Sequence, residues 1–169
     1  GRESPLIIAP DNASVSVINT ATNGLIANIE VGDRSSGIAF DSANNRMYVP
    51  NNSDDTVSVI STATNSVIDT ISVGSGPRDI AFDSANNRMY VPNQSDDTVS
   101  VISTATNSVI DTISVGDSPR GIAFDSANNR MYVVNNDDDT VSVISVTSTE
   151  TSTETSDRKS TRLNSSHQI

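Results

Sequence analysis

Residues 48–89 read YVPNNSDDTVSVISTATNSVIDTISVGSGPRDIAFDSANNRM, and residues 90–131 read YVPNQSDDTVSVISTATNSVIDTISVGDSPRGIAFDSANNRM. Partial copies flank this pair at 6–47 and from Tyr132 onward. A 42-residue period built of short β-rich runs is the signature of a propeller blade. Such a four-stranded unit cannot bury both of its faces alone and must stack on neighbours.

Between residues 79 and 116 the repeat divides into four runs bounded by turn residues. Strands are expected at 80–82, 88–91, 98–103 and 109–115, and Gly116 opens the connection to the next block. The runs are rich in Val, Ile and Thr, which suit a pleated surface. Their alternation is broken at Val99, Val101 and Ile102, as expected of a sheet packed on both faces. The short turns favour antiparallel hairpins over an all-parallel solenoid, the main structural alternative.

The expected fold is therefore all-β: a β-propeller arc of about 3.5 four-stranded antiparallel blades, an incomplete propeller. It occupies 1–145, with a partial blade over 6–31 and repeats from about residues 37, 79 and 121. Strands of the partial blade are expected around 6–9, 14–18 and 25–31. Closed propellers have four to eight blades, so the chain reads as a fragment, truncated at least at its N-terminus. Residues 146–156, VTSTETSTETS, read as a Thr/Ser/Glu-rich linker or stalk, with an irregular edge strand as the alternative. Residues 157–169, DRKSTRLNSSHQI, resemble the in-frame translation of a sequencing-library adapter and are set apart from fold reasoning as a non-native tail.

Composition narrows the chemistry. Hydrophobic residues make up 34% of the chain and aromatics 4%, so the core is thin. Residues 1–156 carry seven arginines against twenty acids and contain no Lys, His, Cys or Trp. That leaves no Ser-His-Asp or Cys-His nucleophile system. It leaves no His/Cys metal site, and no lysine for a Schiff base or P-loop. Strong acidity repels a phosphate backbone, so nucleic acid is not an expected partner. No apolar run approaches the length of a membrane span.

Tyr48-Val49-Pro50-Asn51, Tyr90-Val91-Pro92-Asn93 and Tyr132-Val133-Val134-Asn135 each precede a Thr-Val-Ser-Val-Ile-Ser run, and a Val-Gly-x-x-Pro-Arg-x-Ile-Ala-Phe-Asp stretch recurs between the copies. Together these resemble the YVTN-type β-propeller repeat over roughly 6–145, with Pro or Val in place of Thr. The resemblance implies a surface-layer or secreted propeller of archaea and bacteria, and hence an extracellular or cell-surface location. Some members of the wider superfamily bind haem or quinone, through histidines or other residues that have no match here. No cofactor is therefore expected, Ca²⁺ being the one left open. The expected function is a non-catalytic scaffold, not an enzyme, whose partners are a protein or glycan ligand or cell-envelope components. The alternative is a fragment of a propeller enzyme with its catalytic residues in missing blades. Uncovered blade edges are expected to invite self-association.

In propeller geometry the loops joining strands two to three and four to one share one face. The two full repeats differ only at Asn52/Gln94, Ser75/Asp117, Gly76/Ser118 and Asp79/Gly121, all on that face. With Arg78 and Arg120 these form the expected ligand-binding face, the alternative being drift of exposed loops. The same face carries Asp54, Asp55, Asp96, Asp97, Asp137, Asp138 and Asp139. Of these, Asp54, Asp55, Asp96, Asp97, Asp138 and Asp139 are the Ca²⁺ candidates, although the spaced Ca²⁺-loop pattern is absent and ordinary turn chemistry is the alternative. Asn12, Asn51 and Asn93 match the N-glycosylation acceptor. Phe40, Phe82, Phe124 and Tyr48, Tyr90, Tyr132 recur at fixed positions, as inter-blade core or as a sugar-stacking platform. Arg46, Arg88 and Arg130 are expected to pair with Asp41, Asp83 and Asp125.

Overall fold

In the computed structural model of the chain, residues 12–146 are described. Strands β1 (Asn12–Asn19) and β2 (Gly24–Asp33) form a two-stranded antiparallel sheet, blade 1. Blade 2 comprises β3 (Ala39–Asp41), β4 (Arg46–Asn51), β5 (Thr56–Ser61) and β6 (Ser66–Ser72). Blade 3 repeats it with β7 (Ala81–Asp83), β8 (Arg88–Asn93), β9 (Thr98–Ser103) and β10 (Ser108–Ser114). Blade 4 holds β11 (Pro119–Asp125), β12 (Arg130–Asn135) and β13 (Thr140–Ser145). All pairings are antiparallel and sequential. The fold is thus an arc of a β-propeller. The expected strand at 6–9, residues 147–156 of the stalk expected over 146–156 and the tail at 157–169 lie outside the described residues. Val146, expected to open the stalk, is instead buried in the core between blades 3 and 4.

The turns explain why the runs stop where they do. Asn45, Asn87 and Asn129 sit at φ 55 in the hairpins between first and second strands. Asp55, Asp97 and Asp139 (φ 57, 57 and 56) and Asn23, Asn65 and Asn107 (φ 60, 55 and 54) do the same in the other hairpins. Asn and Asp tolerate this left-handed region better than other side chains. In the first hairpin Asp41 Oδ1 accepts the amides of Ala43 and Asn44, while Oδ2 accepts Asn44 Nδ2 at 2.8 Å. Asp83 and Asp125 repeat that arrangement. These carboxylates therefore hold their own turns first. Arg46, expected to pair with Asp41, sends Nη1 across to the Thr104 carbonyl of blade 3.

The core consists of inter-blade interfaces. Tyr48, Val57, Val59 and Ile71 of blade 2 pack on Ile80, Met89, Val91 and Ile102 of blade 3. Tyr90, Val99, Val101 and Ile113 of blade 3 pack on Met131, Val133 and Ile144 of blade 4. Ile29 and Val31 of blade 1 pack on Val49 and Ile60 of blade 2. Because side chains alternate along a strand, Tyr48 faces forward and Val49 backward. Val57 and Val59 face forward, and Ile60 faces backward. This two-sided packing is why the sequence alternation is imperfect. Each buried Val, Ile or Tyr contributes about 1.5–3 kcal/mol. On the lower side, the Tyr48 hydroxyl donates to Asn107 Oδ1 at 2.6 Å, tying blade 2 to blade 3. Burial pushes the phenol pKa of Tyr48 and of Tyr90 up.

The candidate site: an upper face of clamped connections

The loops after β4, β8 and β12 and the connections leaving β2, β6 and β10 meet on one face. The Asp-Asp dipeptides make that meeting. The first aspartate of each pair caps the connection entering its own blade. Asp54 Oδ2 accepts the Asp33 amide at 2.8 Å, Asp96 Oδ2 the Ser75 amide at 2.7 Å, and Asp138 Oδ2 the Asp117 amide at 2.8 Å. The second aspartate caps the connection leaving its blade. Asp55 Oδ1 accepts the Gly76 amide and Asp97 Oδ1 the Ser118 amide, both at 2.8 Å. One loop thus holds both the incoming and the outgoing chain.

This clamp explains the Val-Gly step of the repeat. A Cβ on Gly74 would lie 2.5 Å from Asn93 Nδ2 and 2.9 Å from Asp96 Oδ2. Gly32 and Gly116 meet Asn51 and Asn135 equally closely, at 2.6 Å. Beneath them Asn51 Nδ2 donates to Thr56 Oγ1 and Ser58 Oγ. Asn93 and Asn135 make the same pair of bonds.

The calcium and glycosylation candidates take the following places. The calcium candidates Asp54, Asp55, Asp96, Asp97 and Asp138 are committed to backbone amides. Asp139 occupies the left-handed turn position after Asp138. Among the described residues no three acidic groups are placed to hold one metal ion. Asn51 and Asn93 are fully buried, with 0% exposure, so the folded protein does not present their amides for glycosylation. Asn12, at the start of β1, is exposed.

The variable positions do lie together, and several answer one another. Gln94 Nε2 donates to Ser118 Oγ at 3.2 Å, and its Oε1 accepts from Arg78 Nε. The shorter Asn52 instead donates to the Pro77 carbonyl at 3.2 Å, opposite Gly76, which has no side chain. Variation at 52/94 is therefore matched by variation at 76/118. The positions leading into the first strands adjoin each other from blade to blade. Ser36 Oγ donates to the Arg78 carbonyl at 2.8 Å. Asp79 Oδ1 accepts the Ile80 amide at 2.9 Å, and Oδ2 accepts the Ile122 amide of blade 4 at 3.1 Å. A Cβ on Gly37 would lie 3.2 Å from the Asp79 Cα. Gly37, Asp79 and Gly121 thus mark the inner mouth of the arc. Arg78 and Arg120 stand exposed beside it. Further out, the carboxylates of Asp138 and Asp97 push the Asp117 carboxyl above its ordinary range.

Sequence reasoning grouped these loops from blade topology. It missed the clamp, because each partner amide lies 21 residues from its aspartate.

A family model described as lactonase, 7-bladed beta-propeller, matches residues 12–110. No curated protein matches the chain. Among solved structures, a functionally unknown protein from Desulfotomaculum acetoxidans is 18% identical with a TM-score of 0.72, over 85% of this chain and 48% of that one. The dihydro-heme d1 dehydrogenase NirN, in complex with DHE, is 12% identical with a TM-score of 0.71, over 84% and 32%. Hydrazine synthase of Kuenenia stuttgartiensis is 23% identical with a TM-score of 0.60, over 68% and 34%. The chain spans a third to a half of the length of these structures, and at such identities the likeness is one of fold.

The family match overturns the expectation of a chain that is not an enzyme. The lack of His, Lys and Cys in 1–156 excludes the nucleophile systems named above. It does not exclude hydrolysis by water polarised between arginines, amides and backbone groups, which needs none of those side chains.

Proposed function

The chain belongs to the seven-bladed lactonase β-propeller family, and from that premise we propose that it is an arc of a lactone-hydrolysing propeller. The family match over 12–110 carries this reading. The substrate would sit at the inner mouth beside Asp79, Arg78 and Arg120. Water adds to the lactone carbonyl carbon and the ring C–O bond breaks. The ring oxygen takes a proton to become a hydroxyl, and the acid formed ionises to a carboxylate. Negative charge builds on the carbonyl oxygen during addition and stays on the product. Arginine is the only cationic side chain in 1–156, and its planar fork suits both an oxyanion and a carboxylate. Gln94 holds Arg78, and Arg120 stands exposed at the mouth.

The same proposal carries the cell-surface setting implied by the Tyr-Val-x-Asn repeats, and a chemistry that needs no cofactor. The test is proton release from simple γ- and δ-lactones at constant pH. It is joined to NMR titration with the matching hydroxy acids. Hydrolysis above the buffer rate, or shifts confined to the region of Arg78, Asp79, Arg120 and Gly121 and reduced in Arg120→Gln, supports the reading. No hydrolysis together with no such localised shifts overturns it.

A further inference from the structure

We propose that Gln94 and Ser118 are positioning residues that hold Arg78 by its Nε, which leaves the two terminal nitrogens of its guanidinium as a preset clamp for an anion at the inner mouth. The inference rests on the lactone reading above and names how that site holds its oxyanion and product carboxylate. Arg78 Nε donates to Gln94 Oε1, and Gln94 Nε2 donates to Ser118 Oγ at 3.2 Å. The backbone brings the three together. The Arg78 amide donates to the Pro92 carbonyl at 3.0 Å and the Gln94 amide to the Gly76 carbonyl at 2.8 Å. The Ser118 amide donates to Asp97 Oδ1 at 2.8 Å. Asp79, beside Arg78 in sequence, gives its two oxygens to the Ile80 and Ile122 amides. Among the described residues the terminal nitrogens of Arg78 have no partner. A guanidinium held at Nε keeps its end-on pair of N–H groups free, an edge that takes the two oxygens of a carboxylate.

The neighbouring repeats show that this relay is not a by-product of the fold. One repeat earlier the places are held by Ser36, Asn52 and Gly76. There the Ser36 amide still donates to the Pro50 carbonyl and the Asn52 amide to the Arg34 carbonyl. The side chains part company: Asn52 donates to the Pro77 carbonyl, and Gly76 has no hydroxyl. One repeat later Asn136 stands in the place of Gln94, and its Nδ2 donates to Asp137 Oδ1 at 3.2 Å, not to Arg120. The backbone thus recurs, and the tether occurs once among the described residues. The conformation of Ser118 points the same way. It sits at φ 59, where Gly76 has φ 70, and it is only 8% exposed. A serine in this left-handed region is strained relative to glycine. What it adds there is a hydroxyl, and that hydroxyl receives Gln94.

NMR of the arginine Nε–H groups in the 169-residue chain tests the tether without any ligand. The Arg78 Nε–H should exchange with water about tenfold more slowly than that of Arg120. The double variant Gln94→Asn/Ser118→Gly gives blade 3 the residues that blade 2 already carries, so far-UV circular dichroism should stay unchanged. It should erase the difference in exchange. Titration with 4-hydroxybutyrate, the hydroxy acid of γ-butyrolactone, tests the clamp. The double variant should bind it about threefold to tenfold more weakly than the wild type. Arg78→Lys, which keeps the charge and loses the fork, should weaken binding by at least as much. An Arg78 Nε–H that exchanges as fast as that of Arg120 overturns the proposal. So does binding of the hydroxy acid that is absent or indifferent to both variants. Lactone hydrolysis alongside any of these results leaves the lactone reading standing, whereas a wild type with neither hydrolysis nor binding overturns both.

Discussion

Strands β9 and β13 have the same six residues, Thr-Val-Ser-Val-Ile-Ser, in the same place of the same repeat. In β9 the four central residues are all buried; in β13 only Ile144 is. The difference is what stands on each side. Blade 3 lies between two blades, whereas no described residue covers the forward face of blade 4. Local sequence makes the strand, and the neighbouring blade makes the core. The same contrast separates Ile102, with 0% exposure, from Ile18 at 58%, where blade 1 has only two described strands.

The sharpest way to break this comparison is to put the same charge in both places. Val99→Asp should leave an unpaired carboxylate between blades 3 and 4 and cost about 4 kcal/mol or more, enough to abolish a cooperative urea transition. Val141→Asp should change stability by no more than about 0.5 kcal/mol in dilute protein. Truncation is the next test. Ile102→Ala should cost about 2–5 kcal/mol, and Ile18→Ala within about 0.5 kcal/mol. Equal costs would mean that the ends are as well packed as the middle.

The clamp gives a smaller effect. Gly74→Ala drives a methyl into Asn93 and Asp96 and should cost about 1–3 kcal/mol in a urea melt. Gly121→Ala, whose nearest neighbour would be Val134 Cγ2 at 3.9 Å, should be close to neutral.

The smallest effects are those of two surface-loop carboxylates, Asp117 exposed and Asp125 half-buried, with opposite signs. Asp117 is repelled by Asp138 and Asp97, so its folded pKa is raised. Its charge disfavours the folded state above that pKa, and the penalty fades as pH falls toward the ordinary range near about 3.9. Asp117→Ser, the residue blade 3 has at this place, should therefore stabilise at neutral pH, with the gain vanishing in acid. Asp125 is held by the Asn128 side chain and its folded pKa is lowered. Its contribution is present above the ordinary range and lost as pH falls through the lowered value. Asp125→Asn should therefore destabilise at neutral pH and less so in acid. Thermal melts across the acid range read both signs.

Much of the fold was legible because turn chemistry is local. Asp83 and Asn87 announce a hairpin from five adjacent residues, and the expected strands of the repeat fall within a few residues of β7–β10. Burial was not legible, since Val99 and Val141 sit in identical strings. The clamping role of the Asp-Asp loops was not legible, because spacing alone does not show the distant amides they hold. Asn51 and Asn93 looked like surface acceptors because an Asn-x-Ser string does not reveal that its first residue lies under a glycine. The lactonase-family match was not foreseen, because the missing His, Lys and Cys remove the familiar nucleophiles on which an enzyme reading would rest.

Hydrogen exchange on the three Thr-Val-Ser-Val-Ile-Ser strands, β5, β9 and β13, is the most direct test that neighbours set stability along the arc. Their intrinsic exchange chemistry is the same, so any difference comes from packing. In dilute protein, the ladder-bonded amides of β5 and β9 should exchange only with global unfolding, and those β13 shares with β12 markedly faster. Equal protection in all three strands would contradict the account.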